Sequence, residues 1–141
     1  MNINSKKRSR GHSVSKGRQT QQKQALLAVF ERSRRPLTPR ETLEKTQETV
    51  RNFGLATVYR GIRRLVDAGL LAPVRMPGEP VRYERADQGH HHHFRCDLCL
   101  RVFNVPGCFR GLISDVPPGF VVRDHVITLE GQCADCAVPR R

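Results

Sequence analysis

All five cysteines and five of the six histidines of this 141-residue chain fall between His90 and Cys136. The most specific pattern among them is Cys96-x-x-Cys99 with Cys133-x-x-Cys136. Two such pairs offer four thiolates, and the two-residue spacing lets both sulfurs of a pair reach one tetrahedral ion, the closed arrangement of structural zinc. The 33 residues between the pairs exceed the roughly 15–20 of a compact zinc ribbon, so a folded β-rich region must bring them together. Redox-active Cys-x-x-Cys pairs belong in a βαβ setting, which this region lacks.

His90, His91, His92 and His93 directly precede Cys96. In a strand, alternate side chains face opposite ways, so His91 and His93 share one face and His90 and His92 the other. One run can therefore furnish two imidazoles to each of two sites, and neutral imidazole suits zinc, iron and nickel. Glu84 could add a carboxylate, and His125 could fold back from a later segment. Cys108 is the odd thiol, readable equally as a ligand or as the small buried hydrophobe that a free cysteine commonly is. His12 lies outside this region and receives no role.

The elements that must hold these groups divide the chain in two. Residues 1–18 are rich in Ser, Gly, Lys and Arg, with almost nothing to bury, and read as a disordered basic arm. Leu26, Leu27, Val29 and Phe30 recur at helical spacing within 20–33, and Pro36 follows the helix they predict. Thr38-Pro39-Arg40-Glu41 is a capping box with proline at the first helical position, predicting a second helix to about Glu48. In Ala56–Ala68, Val58, Ile62, Leu65 and Val66 form one apolar stripe, and Gly69 stands where a C′ glycine belongs. Two extended stretches, Leu70–Arg75 and Val81–Glu84, flank Met76-Pro77-Gly78-Glu79 and predict a hairpin. Beyond Ala86 come short β-like runs at His91–Arg95, Arg101–Val105, Val121–Arg123 and Val126–Leu129, with one or two helical turns expected over Phe109–Ser114.

The expected fold class is α+β: an N-terminal winged helix-turn-helix DNA-binding domain over 19–85, then a small α/β dimerisation and metal-binding domain over 86–141. About 55 residues have too little core to be stable alone, which gives the four-thiolate staple a structural purpose.

Charge agrees with this division. Residues 1–75 hold 17 Lys/Arg against 5 Asp/Glu, and residues 76–141 hold 8 of each, so the whole excess of +12 sits in the first half. A one-sided basic surplus is the footprint of a phosphate-backbone partner. On the third helix, Thr57, Tyr59, Arg60, Arg63 and Arg64 lie opposite the apolar stripe, suited to reading base edges in a major groove. No run approaches the ~18 apolar residues of a spanning helix, and the polar N-terminus lacks the apolar centre of a secretory signal. The expected location is cytoplasmic, where cysteines serve metal or redox chemistry rather than disulfides. An enzyme is not expected. Zinc deaminases need His-x-Glu with Pro-Cys-x-x-Cys around an open position, neither of which occurs here, and four thiolates close a zinc ion to substrate.

Ala56-Thr57-Val58-Tyr59-Arg60, the four histidines and the two Cys-x-x-Cys pairs, in that order, resemble the ferric uptake regulator family, with its iron, zinc, manganese and peroxide sensors. The resemblance covers about residues 20–136 and implies a homodimer whose two winged helices bind double-stranded DNA at an AT-rich inverted repeat. It implies DNA contacts from Tyr59 and Arg60, and Lys23 stands where the family usually has arginine. It further implies structural zinc at Cys96, Cys99, Cys133 and Cys136, and an interdomain sensing site at Glu84, His91 and His93. His90, His92 and His125 match positions of an additional site, beside which Cys108 is a spare thiol. Three departures stand out: Pro36 replaces a frequent sensing-site histidine, Asn104 replaces an acidic residue, and no acidic counterpart for the additional site occurs near Gly111. Fewer hard carboxylates tilt the second, regulatory divalent ion toward Zn over Fe or Mn, as in the zinc-uptake branch. The expected function is a metal-dependent transcriptional repressor of metal-uptake and homeostasis genes. The alternative is a peroxide- or redox-responsive DNA-binding regulator on the same fold.

Overall fold

The computed structural model describes residues 12–108 and 116–137. Three helices open the chain: α1 (His12–Ser33), α2 (Pro39–Gln47) and α3 (Leu55–Asp67). The sequence places residues 1–18 in an irregular arm and starts the helix at Thr20, but α1 already begins at His12; residues 1–11 lie outside the described residues. Once Leu26, Val29 and Phe30 are buried, a helix extends at one hydrogen bond per residue fixed. No proline interrupts residues 12–33, and Gly17 costs only about 1 kcal/mol.

α2 starts as its sequence demands. The Glu41 backbone N–H donates to Thr38 Oγ1 at 3.2 Å, and the Thr38 N–H donates to Glu41 Oε2 at 2.8 Å, with Pro39 in the first turn. α3 ends in a Schellman motif: Gly69, at φ +68°, donates to Val66 O, and Leu70 donates to Leu65 O, both at 2.9 Å. Leu26, Val29 and Phe30 of α1 pack with Val58, Ile62 and Leu65 of α3, around Leu37 and Phe53, as the core of this half. The helices meet closely at Gly61, where an added Cβ would lie 2.2 Å from Leu26 Cδ1.

β1 (Leu71–Val74) and β2 (Arg82–Arg85) pair antiparallel as the wing, and Leu37 bridges to Tyr83 on the outer side of β2. The second half is a three-stranded sheet of β3 (His91–Cys96), β4 (Val102–Pro106) and β5 (Thr128–Gly131), in the order β4-β3-β5. β4 runs antiparallel to β3, and β5 runs parallel to it. A short helix, α4 (Ala134–Ala137), follows; the sequence reading contains no such turn. Val121–Arg123, expected as a strand, is not one. β3 is paired on both sides, no described strand takes up residues 121–123, and Val121 stays 84 % exposed. The helical turns expected over 109–114 lie outside the described residues. Together these elements make an α+β protein with a winged helix-turn-helix first and a small α/β unit second.

Candidate metal centres and nucleic-acid interface

β3 carries the chemistry because its pleat sends successive histidines to opposite faces. On one face, His91 Nε2 lies 3.0 and 3.1 Å from the two carboxylate oxygens of Glu84, and His93 Nε2 lies 3.3 Å from Glu84 Oε2. Glu84 comes from β2 of the wing and is only 6 % exposed. Burial pushes its pKa up, but the hydrogen bond and charge of His93, with the charge of His91, outweigh burial and hold the carboxyl below its ordinary range. A buried carboxylate and two imidazoles, with donor atoms all within 4.8 Å of one another, suit a divalent cation. His91 Nδ1 lies 2.9 Å from Gly89 O, an outer contact that fixes the ring and leaves Nε2 for the site.

On the other face, His90 Nε2 and Cys108 Sγ each lie 3.2 Å from His125 Nε2. His92 is buried beneath them. Burial, then the neighbouring imidazoles His90 and His125, lower its pKa. The four donors fall within 4.8 Å of one another.

At the C-terminal end of β3, the Cys-x-x-Cys pairs converge. Cys96 and Cys133 are buried, and all four sulfurs lie within 4.8 Å of one another. Cys99 Sγ and Cys133 Sγ are 3.8 Å apart, matching the ~3.8 Å edge of a tetrahedron with the ~2.3 Å bonds of zinc to sulfur. Leu100 takes a left-handed φ of +58° to complete the turn, in which its N–H donates to Cys96 O at 3.0 Å. Backbone N–H groups of Cys99 and Cys133 pull the Cys96 thiol down to about 6. The Cys133 sulfur and burial push Cys136 up to about 12. Four thiolates cannot crowd together without a cation, so this donor set fits zinc on charge as well as spacing.

The basic residues gather elsewhere. Lys23, Arg60, Arg63 and Arg64 are exposed, and Tyr59 is 54 % exposed. Lys23, Thr57, Arg60 and Arg64 line a cleft between α1 and α3; Tyr59, Arg60, Arg63 and Arg75 line a second between α3 and the wing. α3 thus stands between two grooves with cationic walls.

The model of the ferric uptake regulator family matches residues 15–116 of this chain. The chain belongs to that family. It is 32 % identical over 123 residues to the ferric uptake regulation protein of Campylobacter jejuni, covering 83 % of this chain and 78 % of that one. Its fold is similar to that of the Helicobacter pylori ferric uptake regulator, with a TM-score of 0.65 at 18 % identity over 91 % of this chain and 93 % of the other. It is also similar to a zinc uptake regulator of M. tuberculosis, with a TM-score of 0.52 at 26 % identity over 88 % and 98 % of the two chains. Like other members of the ferric uptake regulator family, the chain is a metal-dependent transcriptional regulator.

Pro36, the first of the departures noted in the sequence, is buried beside the start of α2. Asn104, at the second departure, donates to Gln88. Sequence reasoning missed a set of contacts between the wing and the second sheet. Glu79 accepts from Arg95 at 2.7 Å and pairs with Arg82 at 3.3 Å, while buried Arg82 donates to Leu100 O at 2.7 Å. Arg101 donates to Cys99 Sγ at 3.2 Å and to Asp135 at 3.0 Å. Arginines of this kind look like surface charge in a sequence; only Glu79-x-x-Arg82, an opposite-sign pair across a turn, hints at the arrangement.

Proposed function

We propose that this chain is a metal-dependent DNA-binding repressor of metal-uptake and homeostasis genes, working as a homodimer on an AT-rich inverted repeat in the cytoplasm. The observation that carries the reading is the meeting of Glu84 with His91 and His93. These three residues belong to the last strand of the winged helix and the first strand of the second sheet, and five residues, 86–90, separate those strands. Glu84, His91 and His93 would hold a divalent ion, which would supply positive charge to the buried carboxylate. Glu84, held beside the imidazoles, fixes the wing against β3 and so limits the orientations of α3. Looser orientation leaves the binding-competent state a minority, and apparent affinity falls by that fraction. One carboxylate against two imidazoles favours Zn over Fe or Mn at this regulatory site, with structural Zn at Cys96, Cys99, Cys133 and Cys136.

DNA contact falls to α3 and its surroundings. In this reading Arg60, Arg63 and Arg64 meet guanine edges or phosphates, Thr57 and Tyr59 meet bases near the helix start, and Lys23 meets the backbone. Among the described residues no helix is long and apolar enough to cross a membrane. The test is the double variant His91→Ala, His93→Ala, assayed on a labelled AT-rich inverted repeat. The reading requires loss of metal-stimulated binding with the four-thiolate zinc retained. Undiminished stimulation in that variant would overturn it.

A further inference from the structure

The opposite face of β3 holds a donor set of different chemistry. His90 and His92 come from β3, His125 from the segment before β5, and Cys108 from just beyond β4. Cys108 Sγ and His90 Nε2 both lie 3.2 Å from His125 Nε2. A tetrahedral zinc ion has bonds of about 2.0–2.1 Å to nitrogen and about 2.3 Å to sulfur, which set ligand–ligand edges of roughly 3.3–3.6 Å. The two shortest separations are therefore already near bonded values, and since all four donors lie within 4.8 Å of one another, closure needs at most about an ångström of contraction. The nearest carboxylate in sequence, Asp124, accepts from the His125 backbone N–H at 2.8 Å and is not one of the four donors.

We propose that Cys108 is the fourth ligand and the specificity-determining residue of a closed site with His90, His92 and His125, selective for zinc-class ions over manganese and magnesium. The inference rests on the metal-regulator reading above and adds to it a second site with a sharper preference for zinc. Three neutral imidazoles and one thiolate complete four-coordination without a hard oxygen. Thiolate selects for zinc and its chemical neighbours, whereas Mn and Mg seek carboxylates, carbonyls and water in octahedra. The Glu84 site offers three donors, one a carboxylate, so it discriminates less. β3 carries both sites on alternate residues, which puts the selective one directly behind the regulatory one.

Cobalt(II) is the probe, because a thiolate bound to it gives a near-ultraviolet charge-transfer absorption that imidazole and carboxylate do not. Full-length protein with zinc in its four-thiolate centre is titrated anaerobically with cobalt(II). The absorption is expected in the wild type and in the His91→Ala, His93→Ala variant, and is expected to vanish in Cys108→Ser. Cys108→Asp should bind cobalt without that absorption and should gain about tenfold or more in manganese affinity relative to wild type. Zinc content and circular dichroism of each variant establish that the four-thiolate centre and fold persist. Equal absorption in Cys108→Ser and wild type, or none in the wild type, would overturn the assignment, as would manganese displacing cobalt from the wild type. DNA binding separates the two ideas: metal-stimulated binding that survives such a result leaves the regulator reading intact and removes only Cys108.

Discussion

A carboxylate as buried as Glu84 is costly to keep ionised unless it is paired and hydrogen-bonded, and the Nε2 atoms of His91 and His93 lie 3.0 and 3.3 Å from its oxygens. Glu84→Gln keeps the shape and removes the charge. Metal-stimulated DNA affinity should fall by about tenfold or more, roughly 1.4 kcal/mol of coupling, while zinc in the four-thiolate centre is unchanged; anisotropy titration and metal analysis measure both. On α3, Arg60→Ala should weaken operator binding by about 1–3 kcal/mol if it reads a base, with specificity relaxed at one position. Lys23→Ala should instead weaken all sequences alike and flatten the salt dependence. At this scale the sequence was informative because spacing carries the information: Cys-x-x-Cys and a four-histidine strand leave few ways to place donors. Cys108 stood beside His90, His92 and His125 as a spare thiol, but the choice between ligand and small buried hydrophobe stayed open in the sequence, since nothing local links Cys108 to His125, 17 residues away.

The elements formed where local chemistry and burial agreed. Thr38, Glu41 and Pro39 specify the start of α2, and Thr38→Ala should cost about 0.5–2 kcal/mol of stability, measured by denaturant unfolding. The cap is also pH-sensitive. Burial raises the Glu41 pKa, but the Thr38 backbone N–H and the Arg35 guanidinium at 2.8 Å outweigh it and leave the carboxyl below its ordinary value. The contribution of Glu41 is thus complete above the ordinary carboxylate range and fades as pH falls through the lowered value. Glu41→Gln should reduce the acid sensitivity of unfolding, seen as a shallower loss of stability below about pH 5. At Gly61, the contact with Leu26 means that Gly61→Val should lose roughly 1–3 kcal/mol by overpacking. Two elements departed from the sequence reading for tertiary reasons. α1 starts eight residues before Thr20 because burial downstream nucleates it, and Val121–Arg123 fails as a strand although it is apolar enough. Strand formation needs a neighbour, and periodicity cannot supply one.

Across the whole molecule, the basic surplus of the first half and the donor clusters of the second are joined at β2 and β3. Besides Glu84, the join is made by Glu79 between Arg82 and Arg95, and by Arg82 on Leu100 O. That last bond ties the wing to the turn holding Cys96 and Cys99. Division into a winged helix and a metal-binding α/β unit could be read from charge asymmetry and helix signals; the ionic contacts between them could not, because long-range pairs of common surface residues leave no periodic trace. The central claim is that metal at Glu84, His91 and His93 sets DNA affinity. Its most direct test is fluorescence anisotropy of a labelled AT-rich inverted repeat with protein holding only its four-thiolate zinc, titrated anaerobically with Zn, Fe or Mn at fixed salt. The account predicts that zinc tightens binding by about tenfold or more, and that His91→Ala with His93→Ala removes the effect. Equally tight operator binding by the folded dimer with and without added metal would contradict it.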